Sequence, residues 1–127
     1  MDFKIAIDIQ KRIKEILSRV SLPYIDPERI ICFRSQGSKS RARARIWSLP
    51  RIWQQALRVK PHYCIEVLSE KFDQLSFQEQ TKILIHELMH IPKTFSGALL
   101  PHQGRGKVVI NQRTVNKVYK VYRKNNK

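Results

Sequence analysis

Apolar residues recur with helical spacing near both ends of the chain. One apolar face of a helix over residues 3–20 is formed by Ile9, Ile13, Ile16, Leu17 and Val20. The same spacing predicts a last helix over about residues 111–124, with an apolar face of Val115, Val118, Tyr119 and Tyr122. The polar side of this last helix is basic. Both helices are expected to pack one face against the rest of the protein as scaffold.

Three segments between these helices have the pattern of strands. Residues 30–33 are a short apolar run before a turn at 35–38, and residues 63–69 form a further run after Pro61. Residues 41–47 alternate, which places Ala42, Ala44 and Ile46 on one side and Arg41, Arg43, Arg45 and Trp47 on the other. Residues 51–59 are expected to form a loop or a short helix.

A capping box predicts the start of another helix. Ser76 has the position of the N-cap, and Glu79 follows at the third helical position. Pro92 ends this helix near Ile91, which gives a length of about 15 residues. Apolar residues occupy most sides of it, so we expect a buried helix in which Leu88 and Met89 are core residues.

The order of these elements indicates the fold class. We predict an α+β domain: a small sheet of three strands or so, packed against the helix over residues 76–91, with N- and C-terminal helices. At 127 residues the chain is expected to form a single domain, residues 1–127.

The buried helix carries His86-Glu87-Leu88-Met89-His90, an HExxH motif. Residues four apart on a helix lie on one face about 6 Å apart along the axis, so His86 and His90 can bind one Zn²⁺ at about 2.0–2.1 Å. Glu87 can then reach a water on the open side of the metal and take its proton. The motif predicts a catalytic zinc site with Glu87 as general base and not as ligand.

A catalytic zinc site needs a third protein ligand. After Glu87 the chain contains no Asp and no Glu, which excludes a downstream carboxylate, and the downstream histidine is His102. We therefore predict the metal ligands His86, His90 and His102, with Gly97 letting the connecting loop fold back. The alternative is that His102 is an ordinary surface histidine; His62 is taken as a non-ligand.

The segment HELMHIPKTFSGALLPHQGRGK resembles a zinc metallopeptidase family found in archaea and in some phages. It is more distantly similar to SprT-like and minigluzincin-like zinc proteases. The resemblance runs from about Ser40 to Arg123 and is strongest between Leu84 and His102. It implies a minimal zincin fold and peptidase activity.

Charge adds a second hypothesis. The net charge is +15, and neither the segment 29–65 nor the segment from Leu88 to the end contains an acidic residue. Such basic blocks attract phosphate backbones, and the arginines at 41, 43 and 45 with Trp47 and Trp53 could contact nucleic acid. The opposing interpretation is that the charge only aids solubility or suits acidic protein substrates.

Composition also limits the location and the redox chemistry. No apolar run is long enough to span a membrane, and the first 17 residues lack the apolar centre of a signal peptide, so a cytoplasmic location without membrane partners is expected. Cys32 and Cys64 are expected to be buried free thiols, with a disulfide as the alternative.

The leading hypothesis is thus a zinc-dependent peptidase that acts on a peptide or protein. The strand at 41–47 or the one at 63–69 could hold the substrate as an added strand, and Tyr119 or Arg105 could stabilise an oxyanion. The alternative is a basic nucleic-acid-binding zinc protein, or a protease acting on nucleic-acid-bound proteins. Phosphodiester hydrolysis by a three-histidine site is a weaker third hypothesis.

Overall fold

A computed structural model describes residues 2–102 and 109–125 of the chain. The sheet has four strands in the order β1-β2-β4-β3: β1 is Asp2–Ile5, β2 Ile30–Gln36, β3 Ala44–Trp47 and β4 Tyr63–Leu68. β2 and β4 are parallel, whereas β1 pairs antiparallel with β2 and β3 antiparallel with β4. The helices are α1 (Ile7–Arg19), α2 (Arg51–Leu57), α3 (Ser69–Phe72), α4 (Phe77–Met89) and α5 (Gln112–Lys124). The α+β class is confirmed.

The helices α1 and α4 cover one face of the sheet. Their apolar residues join those of β2 and β4 in one core, which includes Ile9, Ile13, Cys32, Ile65, Val67, Leu84 and Leu88. α5 packs on α4 and α1 through Val115 and Tyr122, and the Tyr122 hydroxyl donates to the Glu15 carboxylate at 2.7 Å. This arrangement places the HExxH helix between the sheet and the C-terminal helix.

Two predictions about the first half of the chain were wrong in detail. The first helix begins at Ile7, because residues 2–5 form a fourth strand in which Phe3 pairs with Ser35 and Ile5 with Phe33. The strand predicted from residue 41 begins at Ala44. Both differences come from backbone pairing between distant segments, which the local alternation of side chains does not report.

The two cysteines are free. Cys32 lies opposite Ile65, and Cys64 lies opposite Ile31, so the two thiols alternate to opposite faces of the sheet. Burial raises the pKa of Cys32 to about 12, with a smaller contribution from Cys64. The alternative prediction, a disulfide between Cys32 and Cys64, was wrong, because the two thiols are free and lie on opposite faces of the sheet.

Among the described residues, no helix has both the length and the apolar character needed to cross a membrane. The cytoplasmic location stays a prediction.

The second face of the sheet holds a buried carboxylate. Glu66 on β4 is fully buried and accepts hydrogen bonds from Arg45 Nε at 2.8 Å, from Trp47 Nε1 at 2.9 Å and from the Ser35 hydroxyl. Burial alone would raise the pKa of Glu66, but these hydrogen bonds and the Arg45 charge outweigh it and hold the pKa below its usual range. Arg45 is therefore neutralised within the fold. The alternation had predicted that Arg45 belongs to an exposed row of arginines, and this prediction was wrong.

Replacing Glu66 by Gln should test this network. The variant keeps the shape of the side chain but leaves the Arg45 charge without its partner, so we expect the free energy of unfolding to fall by roughly 1–3 kcal/mol. A carboxylate with a lowered folded-state pKa stabilises the fold above its unfolded pKa, and this contribution is lost as pH falls through the folded value. The difference between parent and Glu66→Gln should therefore shrink in acid, as measured by urea unfolding.

The matched control is Glu28→Gln, which removes the exposed ion pair between Glu28 and Lys14. Exposed pairs contribute less than about 1 kcal/mol. Equal losses in the two variants would contradict the stabilising role assigned to Glu66.

Candidate metal centre

The start of α4 follows the predicted cap. The Ser76 hydroxyl accepts the Glu79 N–H at 3.1 Å and donates to the Glu79 carboxylate at 3.2 Å. The helix continues to Met89, and His90 is its C-cap residue. Leu88 is fully buried and Met89 packs against the core, as predicted. The anchored helix fixes His86 and His90 one turn apart, with their Nε2 atoms 3.3 Å from each other.

The segment after the helix brings His102 back to the motif. The backbone N–H of Leu100 donates to the His90 carbonyl at 2.7 Å, and the Leu100 carbonyl lies 2.6 Å from His90 Nδ1. His102 is exposed, and its Nε2 lies 3.0 Å from that of His86. One ligand nitrogen from each of the three histidines falls within 4.8 Å of the others. The three side chains predicted as ligands are thus brought together.

This spacing fits a tetrahedral metal ion. Two nitrogens that bind Zn²⁺ at about 2.0–2.1 Å with a tetrahedral angle lie about 3.3 Å apart. The observed separations of 3.0 Å and 3.3 Å are close to that value. The Leu100 carbonyl requires the proton of His90 on Nδ1, which leaves the Nε2 lone pair directed at the cluster. The donor set therefore fits a metal of the zinc type, with room for a fourth ligand.

The environment also favours the neutral imidazoles that metals bind. Burial, with smaller contributions from His90 and His102, lowers the pKa of His86 to about 4. Burial likewise lowers the pKa of His90, although the Leu100 carbonyl opposes this effect. Neutral imidazoles are the ligand form, so the lowered pKa values favour metal binding by His86 and His90.

Glu87 lies on the side of α4 that faces β3. It is 8% exposed, and its Oε2 is 4.0 Å from His86 Nε2. Burial raises the pKa of Glu87 to about 8, while the backbone amide of Ile46 opposes the rise. A carboxyl in this position is adjacent to the histidine nitrogens without being part of their cluster.

An open groove runs along β3 past these residues. β3 is an edge strand, and two adjoining clefts along it share Ala42, Ala44, His86 and Glu87 in their lining. The Leu68 N–H donates to the Arg43 carbonyl, so the antiparallel register turns the backbone groups of Ala44 and Ile46 toward the outside. β4 lies inside the sheet, which corrects the prediction that residues 63–69 could accept an added strand.

A family model described as "Putative phage metallopeptidase" matches residues 1–127. The chain belongs to this family. Comparison with curated proteins and with solved structures found no match. The family confirms the resemblance seen between residues 40 and 123 and extends it to the whole chain. Membership of this family implies a metal ion, and the three-histidine cluster fits one. The relation to SprT-like and minigluzincin-like proteases stays a prediction.

Tyr119, predicted as a possible oxyanion stabiliser, contacts residues outside the histidine cluster. Tyr119 stacks on Tyr122 with ring centroids 6.0 Å apart, and the Lys82 ammonium lies over its ring at 5.0 Å. Arg105 lies outside the described residues. His62 is not part of the histidine cluster, and its Nδ1 lies 2.6 Å from the Lys60 carbonyl.

The sequence pattern missed the residues that anchor the loop before His102. The buried Tyr63 hydroxyl accepts the Gly97 N–H at 2.9 Å and donates to the Ala98 carbonyl at 2.8 Å. Gln54 Nε2 donates to the Ser96 and Leu49 carbonyls, both at 2.8 Å. Periodicity marked Tyr63 only as a strand residue, and no local signal connects it or Gln54 to a loop more than thirty residues away.

Gly97 has φ +93°, and an added Cβ would lie 2.6 Å from the Leu49 carbonyl oxygen and 2.3 Å from Gln54 Nε2. Gly97→Ala should therefore displace the loop and cost roughly 1–3 kcal/mol of unfolding free energy. Because this loop leads to His102, the affinity for added Zn²⁺ should fall as well. Urea unfolding and competition with a zinc chelator measure the two effects.

Gly37→Ala is the control, because Gly37 has φ +81° in a turn away from the histidines. It should lower stability and leave Zn²⁺ affinity unchanged. Equal Zn²⁺ affinity in the two variants would show that the Gly97 contacts do not position His102.

Proposed function

We propose that this protein is a zinc-dependent peptidase in which His86, His90 and His102 hold Zn²⁺ and Glu87 is the general base. The observation that carries the proposal is the convergence of three imidazoles beside a buried carboxyl and an open edge strand, with His86 Nε2 at tetrahedral spacing from the Nε2 atoms of His90 and His102. The family description supports a metallopeptidase. Zinc is favoured over harder cations because all three protein ligands are imidazoles.

Zn²⁺ bound there would polarise the scissile carbonyl and lower the pKa of a water molecule. Glu87 takes the proton of the attacking water and passes it to the leaving amine. Burial raises the pKa of this carboxyl, but Glu87 is returned to its ionised form by a dication at the neighbouring histidines. The Ile46 amide and the packing against β3 restrict its orientation.

The free edge of β3 orients the substrate. The outward backbone groups of Ala44 offer a hydrogen-bond donor and acceptor to an extended peptide, which would lie as an added strand in the groove beside His86 and Glu87. The side chains of Ala42 and Ala44 are small, so the peptide backbone can approach closely. Recognition through backbone groups predicts broad sequence tolerance next to the scissile bond.

A structural zinc site in a nucleic-acid-binding module is the alternative. Structural zinc sites are usually closed by four protein ligands, whereas the cluster in the described part of the chain offers three. A buried carboxyl beside the open position also has no purpose in a structural site. Both features support catalysis.

His102→Ala should lower the affinity for Zn²⁺ and leave the fold intact, since His102 is exposed and lies on a loop. Metal analysis of protein made without a histidine tag should give one Zn²⁺ per chain for the parent, with much weaker retention in the variant. His62→Ala is the control and should bind Zn²⁺ as the parent does. An undiminished affinity in His102→Ala would remove His102 from the ligand set.

Glu87→Gln should keep Zn²⁺ and lose hydrolysis. Glutamine retains the shape and can still accept from the Ile46 amide, but it cannot take a proton. General-base catalysis is typically worth about 10²–10⁴-fold, so kcat should fall by that factor on a quenched peptide library. Glu70→Gln, which removes an exposed carboxylate elsewhere, should leave kcat unchanged. Parent-like turnover by Glu87→Gln would refute the mechanism.

A further inference from the structure

Apart from the groove along β3, a cleft of about 510 Å³ lies between α4 and α5 and is lined by positively charged side chains. Its cationic side chains are Lys82, Arg113, Lys117, Lys120 and Arg123, and its other lining residues are Gln78, Asn116 and Tyr119. None of these described lining residues is acidic. The mechanism proposed above uses none of the five cations.

This concentration of charge is costly for α5. Arg113 and Lys117, and likewise Lys120 and Lys124, are like charges four residues apart, an arrangement that destabilises a helix. The first turn of α5 contains Arg113 and no acid, opposite to the preference of the helix dipole. In α1, by contrast, Arg19 pairs with Glu15 and Lys14 with Glu28. In the described part of the chain no ion pair neutralises these cations of α5, and such a row indicates an anionic partner.

The charged cleft is continuous with the groove at the metal centre. Lys82 and Asn116 line both the α4–α5 cleft and the cleft that reaches His86 and Glu87. Arg41 and Arg43, both exposed, line the opposite wall of the latter. Lys82 is held in position by its contact with the Tyr119 ring. A row of cations thus extends from α5 to the histidines, with the exposed Glu79 also in the lining of the connecting cleft.

We propose that the α4–α5 cleft binds the phosphate backbone of nucleic acid, without sequence preference. Arg113, Lys117, Lys120 and Arg123 extend over about 15 Å of helix axis, which equals roughly four phosphates of one duplex strand at about 3.4 Å each. Lysine, arginine, amide and tyrosine side chains together are the set that contacts phosphate oxygens in protein–DNA complexes. The sequence had suggested the arginines at 41, 43 and 45 as the contact surface for nucleic acid. The proposed surface is instead the α4–α5 cleft, because Arg45 forms an ion pair with Glu66.

The test is a fluorescence anisotropy titration of a labelled mixed-sequence duplex of about 20 base pairs, over roughly 50 to 200 mM salt. Arg113, Lys117, Lys120 and Arg123 are all exposed and are changed together to Gln, which keeps helix propensity. The matched control changes the exposed Lys4, Lys11, Lys60 and Lys93 to Gln and so removes the same net charge.

We expect the cleft variant to lose most of its affinity and the slope of log affinity against log salt to become shallower by roughly 3 to 4. The control should stay close to the parent. Equal loss in both variants, or no binding by the parent at the lowest salt, would overturn the proposal. It would also be overturned if polyglutamate of matched charge displaced the duplex as well as unlabelled duplex does, because the partner would then be an acidic protein.

Peptide hydrolysis without nucleic acid should be the same in parent, cleft variant and control. Absence of hydrolysis in all three would refute the proposed peptidase function and leave the binding result to stand by itself.

Discussion

Three imidazole nitrogens lie within 4.8 Å of one another, and much of the structure serves to hold them there. Without a metal, such nitrogens compete for protons and lose hydration, so their convergence has to be imposed by the surrounding backbone. The helix α4 supplies two of them, fixed by the Ser76 cap and by the buried residues Leu84 and Leu88. The third depends on the loop that Leu100 joins to His90 through two contacts.

The two faces of the sheet have different roles in this arrangement. The inner face carries the apolar core against which α4 is packed, and the outer face carries the buried Glu66 with its three donors. That carboxylate ties β3 to β4 through Arg45 and Trp47. Since β3 is an edge strand bonded to the sheet on one side, these side-chain bonds help to keep its free edge in place beside Glu87.

Positive charge is distributed unevenly over the fold. Some cations of the first half of the chain are paired with acids, as Arg34 is with Asp8 and Asp73 and Arg45 is with Glu66. The cations of α5 have no acidic neighbour in sequence, because the chain carries no acid after Glu87. Cations without an acidic neighbour in sequence therefore meet where α4 and α5 pack together.

The sequence by itself determined the metal motif and the limits of its helix, and it predicted His102 as the third ligand. These features depend on local rules: the spacing of side chains on a helix, the N-cap, the position of proline and the absence of downstream acids. Only the tertiary structure decided that residues 2–5 form a strand, that β3 and not β4 is the free edge, and that Arg45 is neutralised. It alone also assigned Tyr63 and Gln54 to the loop before His102. The physical reason is that strand pairing and buried polar contacts join residues far apart in sequence, and neither leaves a periodic signal along the chain.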